Sequence, residues 1–401
     1  MSQHYWQHGY SPDKIRHMNS FLRFPLFIFA ACLCMSFAGG NKKLPAGREE
    51  NAVSSPAADP GNILFSFVVL GCNRIDKDDV SNPNTNESTA NLPELQRTFK
   101  EVCALNPKPV FLFFVGDLVL GLDNDHKKLT KQLKAWVKQY NDVGFSPISK
   151  SGIKLIAIPG NHESLYKSGK GKNKEEVPWK ALPYWMKEMA AFMPAGTVNH
   201  VGGKDSLDNL QTYSFNYNNT HFIMLNTDTY NKKLKIGMAP AAWINSDIQN
   251  AGNNKAINHI FLLGHKPCYV DAKPKDVDDV MDTSVTNLIW PVMENNKAEA
   301  MLSAHSHQYY RCQPHSGKSY QVIAGNGGSP YESKLDSAHQ FYGYTIVYVM
   351  KNNQVVVKSM GRTVYDGQYL ETLPDTLQTT VRDSVNISWG TSAPKWSSGK
   401  L

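Results

Sequence analysis

Past residue 40 the sequence has no apolar run approaching the roughly 20 residues that cross a bilayer, so no membrane span is expected there. Cysteine is scarce, at six in 401 residues, and Cys32 and Cys34 sit near the start. The remaining Cys72, Cys103, Cys268 and Cys312 are too few for a disulfide scaffold. Charge bias is weak: 42 basic against 35 acidic residues give +7, scattered along the chain. With no Lys/Arg stripe interleaved with aromatics, dedicated nucleic-acid binding is not expected. No repeat recurs at a fixed period, which excludes solenoids and propellers. What is present is 41% hydrophobic residues, enough for a large core and too many for a disordered chain.

The N-terminus reads as an export signal. Phe24 to Gly40 carry no charged side chain, and Arg23 stands just before them. Ser36-Phe37-Ala38 places small residues where a signal peptidase reads. Residues 1–38 are therefore expected to be a leader, started in effect at Met18, with an exported mature protein. Phe29-Ala30-Ala31-Cys32 leaves open a lipid anchor at Cys32. Residues 39–62, rich in Gly, Pro, Ala, Ser and Lys, read as a flexible linker.

From residue 63 short apolar runs alternate with helical patterns. Ile63 to Leu70, Val110 to Val115 and Ile153 to Ile158 read as buried strands. Helical spacing predicts helices near 92–105 and over 129–140, and a packing helix within 178–193. This rhythm indicates an α/β sheet, largely parallel in the first half. Later, Tyr213 to Leu225 read as a hairpin about Asn218-Asn219. Helices near 239–250 and 284–295 precede strands at 259–263 and 300–303, and further strands follow at 320–324, 345–350 and 355–358. One domain is expected over 63–375, followed by a polar tail, 376–401, whose order is left open.

Five segments directly after apolar runs hold the chemistry-bearing residues: Gly71-Cys72-Asn73-Arg74, Gly116-Asp117, Gly160-Asn161-His162-Glu163, Gly264-His265 and Ala304-His305-Ser306-His307. In α/β sheets ligands bind beyond the carboxyl ends of strands. Imidazoles, a carboxylate and an amide carbonyl are what zinc, iron or manganese accept. Any one segment alone would pass for a turn or a cap. Five in order point to a metal site.

The order Gly-Asp, Gly-Asn-His-Glu, Gly-His and x-His-x-His resembles the calcineurin-like metallophosphoesterases, especially their purple-acid-phosphatase-like bacterial branch. The hairpin at 213–226 and Ala324-Gly325-Asn326-Gly327-Gly328 extend the resemblance. It implies an α/β fold, a four-layer α/β/β/α sandwich of two mixed sheets. It implies a metal-dependent hydrolase of phosphate mono- or diesters with one or two metal ions, zinc, iron or manganese, which the N-terminal signal makes an exported one. Asp117 would bridge two metals, Asn161, His265 and His305 would complete one shell, and His307 would serve the other. His162 would assist the leaving group. The partner is then a phosphorylated small-molecule or ester substrate.

The first motif departs from the family pattern of Asp followed two residues on by His or Arg. Here it carries Cys72 and Arg74. Arg74 suits phosphate bidentately, or is a solvated loop arginine. Cys72 either ligates as a thiolate or is a small buried hydrophobe. A catalytically impaired metal- or phosphate-binding protein is the alternative this opens. Glu163 either orients His162, fixes a ligand or is solvated. Cys268 and Cys312 lie near the site or merely pack. Lys167 to Lys174 form a lid or a plain loop.

Overall fold

The computed structural model describes residues 59–75, 86–121, 126–165, 167–168, 175–176, 181–194, 199–200, 211–229, 237–270, 280–331, 339–363 and 376–396. Residues 1–38, expected to be a leader, and most of 39–62, expected to be a linker, lie outside them, as do parts of the 73–91 and 163–200 segments. All the described residues belong to one unit, Val53–Leu401.

The strands of the first sheet are β1 (Ile63–Leu70), β2 (Phe111–Val115) and β3 (Lys154–Ile158). A two-stranded ribbon follows, β4 (Lys167–Ser168) and β5 (Glu175–Glu176). The second sheet takes β6 (Asn199–His200), β7 (Tyr213–Tyr217), β8 (Thr220–Leu225), β9 (His259–Gly264), β10 (Ala298–Ser303), β11 (Tyr309–Cys312) and β12 (Tyr320–Ala324). The chain then returns to the first sheet with β13 (Tyr342–Met350), β14 (Val355–Arg362) and β15 (Thr380–Asn386). The helices are α1 (Leu92–Ala104), α2 (His126–Asn141), α3 (Ile148–Ser151), α4 (Asn161–Ser164), α5 (Leu182–Met189), α6 (Ala241–Asn253) and α7 (Thr283–Asn295).

One sheet runs β15-β14-β13-β1-β2-β3 and the other β11-β12-β10-β9-β8-β7-β6. Both are mixed: β1, β2 and β3 are parallel, as are β8, β9, β10 and β12, while the flanking strands are antiparallel. The near-continuous apolar runs follow from burial on both faces. Along β1, Val68 and Leu70 face Phe99, Leu133 and Trp136 of the helices. Phe67 and Val69 alternate with them and face the other sheet's Phe222, Phe261 and Leu302. On the far side of the second sheet, Ile223, Leu225 and Leu262 meet Ile244 and Ile248 of α6 and Ile289 and Met293 of α7. The result is the four-layer α/β/β/α sandwich.

Phe67 is the hub between the sheets. Its ring meets Phe113, Phe222 and Phe261 edge-on at centroid distances of 5.5, 5.2 and 5.4 Å, the arrangement aromatic quadrupoles favour. Five of the described strands were not anticipated: the two-residue β4, β5 and β6, and β11 and β15. β11 has only four residues. β15 lies beyond residue 375 and pairs antiparallel with β14 from Val356↔Asn386 to Gly361↔Thr380. No helix among the described residues is long and apolar enough to cross a membrane.

Candidate metal centre

Every sequence-expected site residue leaves the carboxyl end of a parallel strand. Cys72 and Arg74 follow β1, Asp117 follows β2, and Asn161 and His162 open α4 after β3. His265 follows β9, and His305 and His307 follow β10. The loops are stitched together by backbone. Cys72 N–H donates to Gly116 O at 3.0 Å, Asn73 N–H to Asp117 O at 2.9 Å and Ala304 N–H to His265 O at 2.9 Å. The late glycine turn closes the ring, with Gly327 N–H donating to Gly71 O at 3.0 Å and Ser329 N–H to Cys72 O at 2.8 Å.

Close approach has a conformational cost. Cys72, Asp117 and His305 sit in the left-handed region at φ 56°, 57° and 63°. That conformation costs an L-residue roughly 1–2 kcal/mol, and the surrounding hydrogen bonds hold it. Gly116, at φ 89°, and Gly160 are required by space. A Cβ on Gly116 would strike His265 Nδ1, and one on Gly160 would strike Asp117 Oδ1.

Glu163, which sequence reasoning left open, is wholly buried and acts as a clamp. Its Oε2 accepts from Asp117 N–H at 3.0 Å and Gly160 N–H at 2.8 Å, and its Oε1 from Val119 N–H at 2.9 Å. One carboxyl thus ties the loop after β2 to the first turn of α4, in the manner of a capping-box glutamate. Burial, then the Asp117 charge, pushes its pKa up to about 7.

The donor atoms converge. His265 Nε2 lies 3.2 Å from Asp117 Oδ1 and 3.0 Å from Asn161 Oδ1. His305 Nδ1 lies 3.1 Å from both Asn161 Oδ1 and His265 Nε2. The Cys72 sulfur, a carboxylate oxygen of Asp117 and a ring nitrogen of His265 fall within 4.8 Å of one another. On the other side of the carboxylate, Arg74 Nε and His162 Nε2 each lie 3.9 Å from Asp117 Oδ2. His307 stands two residues past His305, close enough to Arg74 and Asp117 to feel both charges.

Three imidazoles are oriented by backbone. Nδ1–H of His265 donates to Val115 O at 2.8 Å and that of His307 to Pro330 O at 2.7 Å, and His162 Nδ1–H donates to Leu120 O. This leaves each Nε2 lone pair for the site, as metal-binding histidines are commonly held.

Electrostatics agree. Burial alone would raise the Asp117 pKa, but His265, His162 and Arg74 override it and hold it well below the carboxylate range. Burial disfavours a charged His265, yet Asp117 pushes it up to about 9. The chain by itself therefore keeps a proton where a cation would balance the carboxylate. Burial drives His162 to about 3 and His307 to about 4, and drives His305 well below its usual value. Burial, then Asp117, raises the Cys72 thiol well above normal. Neutral imidazoles, one carboxylate and an amide oxygen fit a borderline divalent metal, and metal uptake would displace the His265 proton.

The strand-end signal also marks residues not singled out from sequence. Thr227 and Asp228 follow β8, and both are buried. Lys266 Nζ lies 3.5 Å from Asp228 Oδ1 behind His265, and Lys266 N–H donates to Thr227 Oγ1 at 2.8 Å. Other candidates pack. Cys268 is buried in the layer with α6 and α7, and burial pushes its thiol up to about 12. Trp185 is buried against α2 and its neighbours, and Tyr184 stacks on His126 at 4.6 Å. Of the 167–174 insertion, Lys167–Ser168 pair with Glu175–Glu176, and 169–174 lie outside the described residues.

The family model of the calcineurin-like phosphoesterases matches residues 66–309, more than half of the chain. This chain belongs to that family. The match takes in every residue from Cys72 to His307 and stops before the glycine turn and β13 to β15. Among solved structures, purple acid phosphatase PPD1 from yellow lupin (Lupinus luteus) seeds is 14% identical, with a TM-score of 0.51 over 83% of this chain and 55% of that one. PhoD is 10% identical, with a TM-score of 0.50 over 82% of this chain and 72% of that one. The chain thus spans about half the length of the lupin enzyme. Identities this low speak for the phosphoesterase fold alone. A search of curated proteins finds no match.

Proposed function

We propose that this phosphoesterase hydrolyses phosphate mono- or diesters with Asp117, Asn161, His265 and His305 as metal ligands. The observation that carries the reading is the meeting of Asp117 Oδ1, Asn161 Oδ1, His265 Nε2 and His305 Nδ1, with the contacts among them at 3.0–3.2 Å. A bound zinc, iron or manganese ion would neutralise phosphate charge and lower the pKa of a bound water.

The remaining residues act on the substrate. Arg74 presents a fixed cation 3.9 Å from Asp117 Oδ2 and binds a phosphate oxygen from there. His162 Nε2 stands at the same distance from that oxygen, and once the negative charge of a bound phosphate ester raises its proton affinity it takes up a proton and passes it to the leaving oxygen. Its Nδ1–H is engaged with Leu120 O, which fixes the ring. Glu163 holds the loops that set these distances. Export is part of the same proposal and rests on the uncharged segment Phe24 to Gly40 and its flanks.

The test is turnover of aryl phosphate mono- and diesters with zinc, manganese or iron added. Activity should fall by at least about 100-fold in His162→Ala while bound metal is retained. No turnover of any ester with any of these metals would favour the binding-protein reading.

A further inference from the structure

We infer that the centre holds one metal ion per chain, and that the Arg74 guanidinium stands in for a second cation. This rests on the phosphoesterase reading above and concerns how its site is charged.

The Asp117 carboxylate is divided between two environments. Oδ1 faces His265 Nε2 at 3.2 Å, and the Asn161 and His305 donors meet that same nitrogen at 3.0 and 3.1 Å. These are four N and O donors on one side, a complete set for a four-coordinate ion. Oδ2 faces Arg74 Nε and His162 Nε2, both at 3.9 Å. A guanidinium stays protonated at any pH a protein survives and offers only donors. It therefore supplies charge at Oδ2 without supplying a ligand, and it repels a divalent ion that would share that oxygen.

The first-motif backbone cannot swing to compensate. Cys72 is clamped at both ends, by Gly116 O at 3.0 Å and Ser329 N–H at 2.8 Å, and Arg74 N–H donates to Asp117 O at 3.2 Å. The two first-motif side chains bring a thiol within 4.8 Å of donors from Asp117 and His265 and a cation to Oδ2. The uncharged nitrogens there are His162 Nε2, 3.9 Å from Oδ2, and that of His307, whose Nδ1–H is held by Pro330 O; two nitrogens fall short of a four-donor set. One metal and one guanidinium then share the phosphate, the metal through the Oδ1 side and Arg74 as a fork to the phosphate oxygens.

The experiment counts metal in the full chain by elemental analysis after equilibration with excess zinc or manganese and gel filtration. One ion per chain is expected. Two ions overturn the inference and leave the phosphoesterase reading standing. No ion overturns that reading itself. The double variant Cys72→Asp/Arg74→His should raise the count to two, and a folded double variant that still holds one would overturn the role given to Arg74. Inorganic phosphate, titrated calorimetrically into the loaded protein, should bind at least tenfold more weakly to Arg74→Gln at unchanged metal content. Unaltered phosphate affinity would refute the guanidinium's share in binding.

Discussion

Replacing Arg362 by methionine should convert one buried ion pair into a pH-dependent defect. Arg362 is fully buried at the end of β14 and reaches α1. Its Nε donates to Glu94 Oε2 at 2.5 Å, and its Nη2 to Glu94 O at 3.0 Å and Thr98 Oγ1 at 2.7 Å. Its Nη1 reaches Glu101 Oε2 at 3.4 Å. Burial raises the Glu94 pKa above its usual 4.5, and Arg362 opposes that rise. Arg362→Met keeps much of the packing volume and removes the opposing charge. Deleting one partner of a buried pair costs about 3–5 kcal/mol.

The cost should depend on pH in a defined direction. Folded Glu94 would keep its proton above pH 4.5, where the unfolded chain releases it. Stability of the variant then falls as pH rises, by up to about 1.4 kcal/mol per unit. Urea unfolding at several pH values between 4.5 and 7 should show the deficit against the parent growing with pH. Arg362→Met/Glu94→Gln should flatten that slope and recover part of the loss. A deficit below about 1 kcal/mol, the range of an exposed pair, or one independent of pH, would refute the reasoning.

Three further outcomes are expected. Phe67→Ala empties the contact of four aromatic rings between the sheets and should cost about 3–5 kcal/mol in chemical denaturation. Glu163→Gln places an amide NH2 against at least one of three backbone N–H groups, so metal affinity measured by competition with a chelator should drop roughly 10–100-fold. Removing metal with a chelator should lower thermal stability, because an ion present at 100 times its Kd stabilises the folded state by about 2.7 kcal/mol; an unchanged melting temperature would argue that the centre binds no metal.

The strands were legible because their runs are bounded by glycine and polar residues, but the faces were not. In Phe67-Val68-Val69-Leu70 every residue is apolar, so the sequence alone cannot say which go to the helices and which to the other sheet. β15 was hidden for the opposite reason. Thr380 to Asn386 is mostly polar and half-exposed at a sheet edge, and only its pairing with β14 makes it a strand. The site residues could be read one by one because each sits at a strand end. Glu163 could not be assigned, since its role depends on donors 44 and 46 residues away.

The same contrast explains the first motif. Sequence alone left Cys72 as either a ligand or a filler, because a residue type does not say which oxygen of Asp117 it faces. The structure divides that carboxylate, with His265 at Oδ1 and both Arg74 and His162 at Oδ2. The Cys72 sulfur lies within 4.8 Å of donors from Asp117 and His265. Position 72 therefore has to be weighed together with Arg74, the thiol beside donors of Asp117 and His265 and the cation at Oδ2.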